Sequence, residues 1–330
     1  MVAAALAGAV LLLGVGNSTA SASPGSADPP TVLPAGAQVV HPTPTPPDAT
    51  NCTASYPPPA TMPTPGAMPA GSWMAHIQAR GYLVAGVTQS TYLWAYRNPG
   101  TAQLKGFDID MIEQVNQAIF GADAPPVHFV LVPNADRSQA VATGQVDLVA
   151  ETMTINCSRQ TKSTKDPYPV DFSTVYYDAA EQLLVPSNSK INGPADLGHS
   201  RVCAIGGADS FGNLVAVAGA GHIVAWSDNN FADCLLMLQQ GQVDAIATDN
   251  AILLGLQAQD PNTTIVGPEF SPEPYGMAIS QTHQGFTAFV NGVLANERVD
   301  GTWEQLYNRD LLPYTKVPAT PPAATYKTGP

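Results

Sequence analysis

Two stretches far apart in the chain follow one pattern, "ATGQVDLVAETM" (142–153) and "QQGQVDAIATDN" (239–250). In each, a helix-like run ends at a glycine, and Gln-Val-Asp leads into a short aliphatic run that closes on polar residues. A glycine after an amphipathic run ends a helix, and a short aliphatic run is typical of a buried strand. The repeated pattern predicts two similar lobes, each with a strand that carries polar residues at its carboxyl end.

Strand and helix signals alternate around both copies. Strands are predicted at "GYLVAGV" (81–87), "VHFVLV" (127–132) and "RVCAIGG" (201–207), and helices at "FDIDMIEQVNQAIFG" (107–121) and "FADCLLMLQQG" (231–241). Such alternation predicts an α/β fold of largely parallel sheets with helices on both faces. Ligands of these folds bind beyond the carboxyl ends of the strands, an edge that here carries Thr88, Thr152, Thr154, Gly207 and Asp249.

Composition narrows the class of protein. The chain has 330 residues, of which 45% are hydrophobic and 12% charged, enough to fill the cores of two ordinary domains. Its formal net charge of −13 would repel a polyanion, so nucleic acid is not expected as a partner.

The N-terminus predicts export. Residues 1–22 form a signal-like segment in which an apolar run leads to Ala20-Ser21-Ala22, although no Lys or Arg precedes Arg80. Residues 23–71 form a Pro-rich leader, expected to be a tether or a wrapping arm, and a second Pro-rich tail covers 313–330. No cysteine stands between Gly14 and Ser23, so we expect secretion or retention by an unmodified signal segment in the cell envelope rather than lipidation.

The four cysteines, Cys52, Cys157, Cys203 and Cys234, form an even set in a chain expected to be exported, which favours two disulfides. Sequence alone leaves three pairings open; a Cys52–Cys157 bond would staple the leader onto the body. The chain has no Cys-x-x-Cys pair and its histidines are scattered, so neither a metal nor another cofactor is expected.

Several motifs in fixed order resemble the polar-amino-acid solute-binding proteins of ABC importers. They are "GYLVAGV" with "GFDIDMIEQV", "GQVDLVAETMTI" with a following Arg and "DFSTVYY", "ADLGHSRVCAIGG", "GQVDAIATDNAIL", "PYGMAIS" and "DGTWEQLYNRDL". The match covers Ser72 to Leu312, and the cysteines and the Pro-rich leader look most like the glutamine/glutamate-binding lipoproteins of actinobacteria.

The resemblance implies the type 2 periplasmic binding fold, with two Rossmann-like lobes joined by two crossover strands. We expect the crossovers near Tyr176–Glu181 and Pro274–Ala278. Lobe 1 would then comprise 72–178 plus 275–312, and lobe 2 would comprise 179–274. The implied function is to bind one amino acid by closure of the lobes, as a monomer.

A zwitterionic amino acid needs a cation for its carboxylate and an anion for its ammonium group. In the family, the residue matching Arg159 binds the carboxylate with its planar fork, and the residue matching Asp249 binds the ammonium group. Thr154 would donate its hydroxyl and Thr152 its backbone. Asp249 could equally serve as the N-cap of the helix that follows it.

The remaining candidates are less specific. Gly207 and Ser210 lie in "GGADSFGN", whose free N–H groups could hold the carboxylate, although an ordinary strand-to-helix turn looks the same. Thr88 and Glu151 are expected to face the ligand side chain, and Tyr92 or Trp94 to form a wall of the pocket, unless these aromatics fill the core of lobe 1. Neither Thr88 nor Glu151 is basic, which favours glutamine or asparagine over glutamate or aspartate, unless Arg97 reaches inward.

Three functions fit these residues. The first is presentation of a captured amino acid to an ABC permease, and the second is the same trap acting as the ligand-sensing subunit of a membrane signalling receptor. The third is a dehydratase-like enzyme on the same fold, for which Glu151 is the one candidate acid or base. We expect no enzymatic activity, because no Ser-His-Asp or metal set accompanies Glu151.

Overall fold

The computed structural model describes residues 33–44, 52–163, 167–219, 223–228 and 230–328. The predicted signal-like segment lies outside these ranges. So does the stretch from Gly14 to Ser23, where a lipid-bearing cysteine would stand. So do part of the leader and residues 164–166.

Ten α-helices lie in the described ranges. Helix α1 begins at Ser72, whose side chain accepts from the Ala75 N–H at 3.1 Å, and ends at Gly81 in the left-handed region. In α2 the predicted apolar stripe of Ile112, Val115 and Ile119 is fully buried. The bounds are α1 Trp73–Arg80, α2 Phe107–Phe120, α3 Arg137–Ala142, α4 Cys157–Gln160, α5 Ser210–Ala218, α6 Phe231–Gln239, α7 Asn250–Gln259, α8 Gln284–Asp300, α9 Thr302–Asp310 and α10 Leu312–Thr315.

Lobe 1 is built on a five-stranded sheet in the order β6-β2-β7-β15-β8. Strand β2 runs parallel to β6 and β7, whereas β15 runs antiparallel to β7 and β8. A three-stranded antiparallel ribbon, β3-β4-β5, adjoins it. The bounds are β2 Val84–Val87, β3 Ser90–Thr91, β4 Ala95–Arg97, β5 Leu104–Lys105, β6 His128–Leu131, β7 Leu148–Val149, β8 Val170–Phe172 and β15 Ala278–Ser280.

Lobe 2 is built on the sheet β1-β11-β10-β12-β9-β13, with β14 paired to β9. Strands β11, β10 and β12 are parallel, and β1, β9 and β13 are antiparallel to their neighbours. The bounds are β1 Gln38–Val40, β9 Tyr177–Pro186, β10 Ser200–Ile205, β11 Ile223–Asp228, β12 Ala245–Asp249, β13 Thr263–Val266 and β14 Pro272–Tyr275.

The chain passes between the lobes along β9 and β14, which pair antiparallel from Tyr177↔Tyr275 to Ala180↔Pro272. The α/β architecture in two lobes confirms the predicted fold class. The sheets are less uniformly parallel than expected, because the strands next to the crossovers, β9, β8 and β15, run against their neighbours.

The described part of the leader lies against both lobes. Strand β1 forms the edge of the lobe 2 sheet, and Cys52 is bonded to Cys157 in lobe 1. Asn291 of α8 donates to the Ser55 hydroxyl at 2.8 Å and to the Tyr56 carbonyl at 2.7 Å. The second disulfide, Cys203–Cys234, lies in the core of lobe 2, so the prediction of two disulfides is confirmed.

Candidate functional site

The turn that carries Arg159 is held by local side chains. Asn156 caps α4 by accepting from the Arg159 N–H at 2.9 Å. Thr152 has a φ of +43°, and its N–H donates at 2.9 Å to Asp108, which also accepts from the Tyr176 hydroxyl at 2.7 Å. A non-glycine residue in the left-handed region is strained, and such strain is concentrated at functional sites.

The guanidinium of Arg159 is buried and spans the two lobes. One nitrogen donates to the Thr154 carbonyl at 2.6 Å, and another lies 3.1 Å from an Asp209 carboxylate oxygen. Asp209 precedes α5 of lobe 2 and also accepts from the Asn156 amide at 2.9 Å. Arg159 therefore makes a charge-assisted contact with a carboxylate across the cleft, the chemistry expected for a ligand carboxylate.

Asp249 lies at the carboxyl end of β12 in lobe 2, and its side chain forms no cap hydrogen bond with α7. It accepts from the Tyr275 hydroxyl at 2.6 Å. Burial raises the pKa of Asp249 to about 7, with the Tyr275 bond and the cations Arg137 and Arg159 acting in the opposite direction. A buried carboxyl group of this kind is suited to a cationic partner.

Asp249 and Arg159 line one cavity between the lobes, although Asp249 ends strand β12 of lobe 2 and Arg159 lies on helix α4 of lobe 1. Its volume is about 20 Å³, enough for about one water molecule and far too small for an amino acid. An amino acid therefore needs the lobes to separate before it can enter. The lining residues are Asn134, Arg137, Thr152, Thr154, Arg159, Ala208, Asp209, Ser210, Phe231, Thr248, Asp249, Ile252 and Glu273.

An adjoining cavity of about 410 Å³ contains two further predicted residues, Thr88 and Glu151. It shares Asn134 and Phe231 with the smaller cavity. Glu151 is 2% exposed, and its Oε2 atom has no hydrogen-bond partner. Burial raises the pKa of Glu151 to about 8, and Arg137 acts in the opposite direction.

Gly207 and Ser210 lie in the lobe 2 turn, as predicted, but they differ in role. Ser210 is buried, begins α5 and lines the cavity. Gly207, at φ +78°, lies against Ala135 of lobe 1, where an added Cβ would come within 2.7 Å of the Ala135 Cα. Gly207 therefore allows close approach of the lobes.

Tyr92 does not line either cavity, which corrects its assignment to the pocket wall. Its hydroxyl lies 2.9 Å from that of Tyr314, and its ring packs on Tyr96, because the β3–β4 ribbon turns the side chain toward the C-terminal tail. Arg97 is exposed and donates to Gln89 at 2.8 Å and to the Ala102 carbonyl at 2.7 Å. Arg97 therefore does not reach inward.

Sequence reasoning missed four residues of this site: Asp108, Arg137, Asp209 and Glu273. Arg137 donates to the carbonyls of Asn134 and Glu151, both at 2.9 Å, and burial lowers its pKa. Asp209 stands inside "GGADSFGN" and could have been found there. Glu273 had no spacing signal, because the pairing of β14 with β9 brings it to the site.

One group of described residues has the spacing that a small cation requires. Glu181, Asp249 and Glu273 each offer a carboxylate oxygen, and these atoms lie within 4.8 Å of one another. All three residues are buried. Three carboxylate oxygens suit an ammonium group or a hard cation such as Ca²⁺ or Mg²⁺.

Two α/β lobes that close on a cavity lined by opposite charges define a lobed solute-binding protein of the type 2 periplasmic binding fold. The chain belongs to the bacterial extracellular solute-binding proteins of family 3, whose model matches residues 83–311. This result confirms the resemblance drawn from the motifs. Within the described residues, no helix is both long and apolar enough to cross a bilayer.

Two curated relatives and one solved structure show the extent of the likeness. The ABC transporter glutamine-binding protein GlnH of Bacillus subtilis is 32% identical over 237 residues, 72% of this chain and 83% of the relative. The glutamine-binding protein of Geobacillus stearothermophilus is 34% identical over 211 residues, 64% of this chain and 77% of the relative. An ancestral arginine-binding protein bound to arginine aligns with a TM-score of 0.62 and 28% identity, covering 70% of this chain and 99% of that one.

Proposed function

We propose that this exported protein binds a polar amino acid between its lobes and delivers it to an ABC importer. The observation that carries the proposal is the convergence of Arg159 and Asp249, from different lobes, on one cavity. Arg159 binds the carboxylate of the ligand, and Asp249 binds the ammonium group. The names of the two curated relatives, both glutamine-binding, support the same ligand class.

Glutamine or asparagine is the favoured ligand. The adjoining cavity is lined by Thr88, Asn134, Glu151 and Asn230, which offer hydrogen bonds to an amide. Arg137 is bonded to two residues that line this cavity, since it donates to the Glu151 and Asn134 carbonyls. No Lys or Arg is among the residues that line this cavity, so an acidic ligand side chain would find no free cation there, and glutamate and aspartate should bind more weakly.

Isothermal titration calorimetry with the twenty amino acids tests this function. Glutamine or asparagine should give saturable heat, and Arg159→Lys should weaken binding about 100-fold, because a lysine cannot form the bidentate contact. Arg97→Lys is the matched control, since Arg97 is exposed and bonded outside both cavities. No saturable heat with any amino acid would refute the proposal.

Binding without turnover is part of the proposal. Glu151 is the candidate acid or base, because its carboxyl group is buried and one oxygen has no hydrogen-bond partner. Mass spectrometry of amino acids and prephenate-like compounds after long incubation should recover them unchanged. A product that Glu151→Gln abolishes would show catalysis instead.

A further inference from the structure

Three carboxyl groups meet at the inner end of the ligand cavity. Glu181 stands on β9 directly opposite Asp249 of β12, and Glu273 stands on β14, which pairs with the other half of β9. Their exposed fractions are 0%, 6% and 3%. Asp249 and Glu273 line the cavity, and Glu181 lies next to both.

On lobe 2 and the crossover, the polar groups that surround the three carboxyls are mostly neutral hydrogen-bond donors. The Asn213 amide donates to Glu181 at 3.2 Å and to Glu273 at 2.7 Å, and the Ser271 hydroxyl donates to Glu273 at 3.0 Å. Ser210 also hydrogen-bonds to Glu181. The Oε2 atom of Glu181 has no partner.

Charged groups face the cluster mainly from lobe 1 and from the start of α5. Arg137 and Arg159 act on Asp249, the Thr154 hydroxyl bonds to Glu273, and Asp209 repels both Asp249 and Glu273. Among the described residues, no Lys or Arg forms an ion pair with any of the three carboxyls.

Three buried carboxyls this close cannot all be ionised without a cation between them. Burial first, and then repulsion by Asp249, raise the pKa of Glu273 to about 8. Burial and repulsion by Asp249 and Glu273 hold the pKa of Glu181 well above its ordinary value. The cluster therefore shares protons near neutral pH, and these protons belong to the group as a whole.

We propose that Glu273 is a second anchor for the ammonium group of the ligand, beside Asp249, and that ligand binding drives a proton out of the Glu181–Asp249–Glu273 cluster. This inference rests on the proposed function. The ammonium group keeps its own three protons and donates them as hydrogen bonds. One carboxyl O–H bond breaks, its electron pair stays on the oxygen, and the proton leaves to solvent.

Two consequences follow for the ligand. A positively charged nitrogen is required, so N-acetyl-L-glutamine, whose nitrogen is neutral, cannot replace the proton and should not bind. Affinity for L-glutamine should rise as the pH increases from about 6 to about 8, because the cluster then holds fewer protons that the ligand must displace.

Calorimetry in buffers of different ionisation enthalpy measures the released proton. L-glutamine titrated at pH 7 in phosphate and in Tris should give heats that differ in proportion to the two ionisation enthalpies, with release approaching one proton per ligand. Glu273→Gln should weaken binding at least tenfold, and Glu181→Gln should bind but release fewer protons. Glu297→Gln is the control, since Glu297 has a similarly raised pKa of about 8 but lies on α8, away from the cavity.

The outcomes separate this inference from the proposed function. Binding of L-glutamine with equal heats in both buffers, or normal affinity in a folded Glu273→Gln variant, would overturn the inference alone. Failure of every amino acid to bind would overturn the proposed function first. Thermal stabilisation by Ca²⁺, Mg²⁺ or Mn²⁺ without amino acid, lost in Glu181→Gln, would assign the cluster to a metal and also overturn the inference.

Discussion

Gly207 shows how a single residue controls the contact between the lobes. It lies in the left-handed region, and its Cα faces the backbone of Ala135 in the other lobe. A Cβ at this point would lie 2.7 Å from the Ala135 Cα and 2.9 Å from the Ala135 nitrogen, distances that backbone cannot accommodate without shifting. The closed arrangement therefore requires a glycine here.

Gly207→Ala should hold the lobes apart and weaken amino-acid binding at least tenfold, as measured by calorimetry. Gly241→Ala is the matched control, because Gly241 also has positive φ but has no atom within 4 Å of its added Cβ. Both substitutions place an alanine in the left-handed region, which costs about 1 kcal/mol of backbone strain. The two variants therefore differ only in the clash of the added Cβ with Ala135. Equal affinities for the two variants would contradict this role.

Glu297 is expected to make the free energy of unfolding depend on pH. It is buried in α8, neither carboxylate oxygen has a hydrogen-bond partner, and burial raises its pKa to about 8 from an ordinary 4.5. In the window between these values the unfolded chain has released a proton that the folded chain retains, so the free energy of unfolding falls as pH rises.

Glu297→Gln should therefore stabilise the protein at pH 8 by on the order of 2 kcal/mol and have little effect at pH 5. Urea unfolding of both proteins at the two pH values is the measurement. A gain of the same size at both pH values would show that titration is not the cause.

At the residue scale, the cavity-lining residues to which the sequence points are those that belong to a local motif. Arg159, Thr154 and Asp249 were named from their motifs, and all three line the cavity. Glu273 and Arg137 reach the site through strand pairing and burial, which no local spacing encodes. Tyr92 was misplaced because an aromatic near a strand end can turn either toward the ligand or toward a tail.

At the level of elements, the helix α4 is a four-residue segment fixed from three sides. Cys157 is bonded to Cys52, the Gln160 amide donates to the Cys52 carbonyl at 2.6 Å, and the Gln281 amide donates to the Gln160 carbonyl at 2.9 Å. Such a short helix has little stability of its own. The leader therefore holds the element that carries Arg159.

Replacing Cys52 and Cys157 together by serine should weaken glutamine binding about tenfold, because α4 loses its covalent support and Arg159 its fixed position. Stability should also fall by about 2–5 kcal/mol. The Cys203→Ser/Cys234→Ser pair is the comparison, since that bond lies within the lobe 2 core and should affect stability without a similar change in affinity. Calorimetry and urea unfolding of the two double variants distinguish these effects.

The alternating strands and helices were predictable from the sequence, because the spacing of hydrophobic residues and the glycines that end helices are local signals. Strand β1 was not, since its pairing depends on a partner far along the chain: Val39 of β1 pairs with Trp226. The ribbon β3-β4-β5 was not either, because its strands of two or three residues are too short to show a hydrophobic period. The leader was assigned from its composition, which says nothing of a three-residue edge strand.

For the whole molecule, the Arg159–Asp209 pair bears on the balance between open and closed states. The pair joins the lobes, and a ligand carboxylate must compete with Asp209 for the same guanidinium. Asp209→Ala should therefore enlarge the radius of gyration of the unliganded protein in small-angle scattering. It should also tighten glutamine binding about fivefold, the equivalent of about 1 kcal/mol.

Weaker glutamine binding in Asp209→Ala would show instead that Asp209 contacts the ligand or supports its site. Asp244→Ala is the control, because Asp244 forms an exposed pair with Arg201 within lobe 2 and does not span the cleft.

The leader from Cys52 onward and the C-terminal tail meet on lobe 1. Ser55 and Tyr326 form a parallel bridge, and Lys327 lies over the Tyr56 ring at 4.1 Å. A mechanical load applied between Cys52 and the C-terminal tail would therefore cross only a few neighbouring residues. Tension on the leader would also reach α4, because Cys52 is bonded to Cys157, two residues before Arg159.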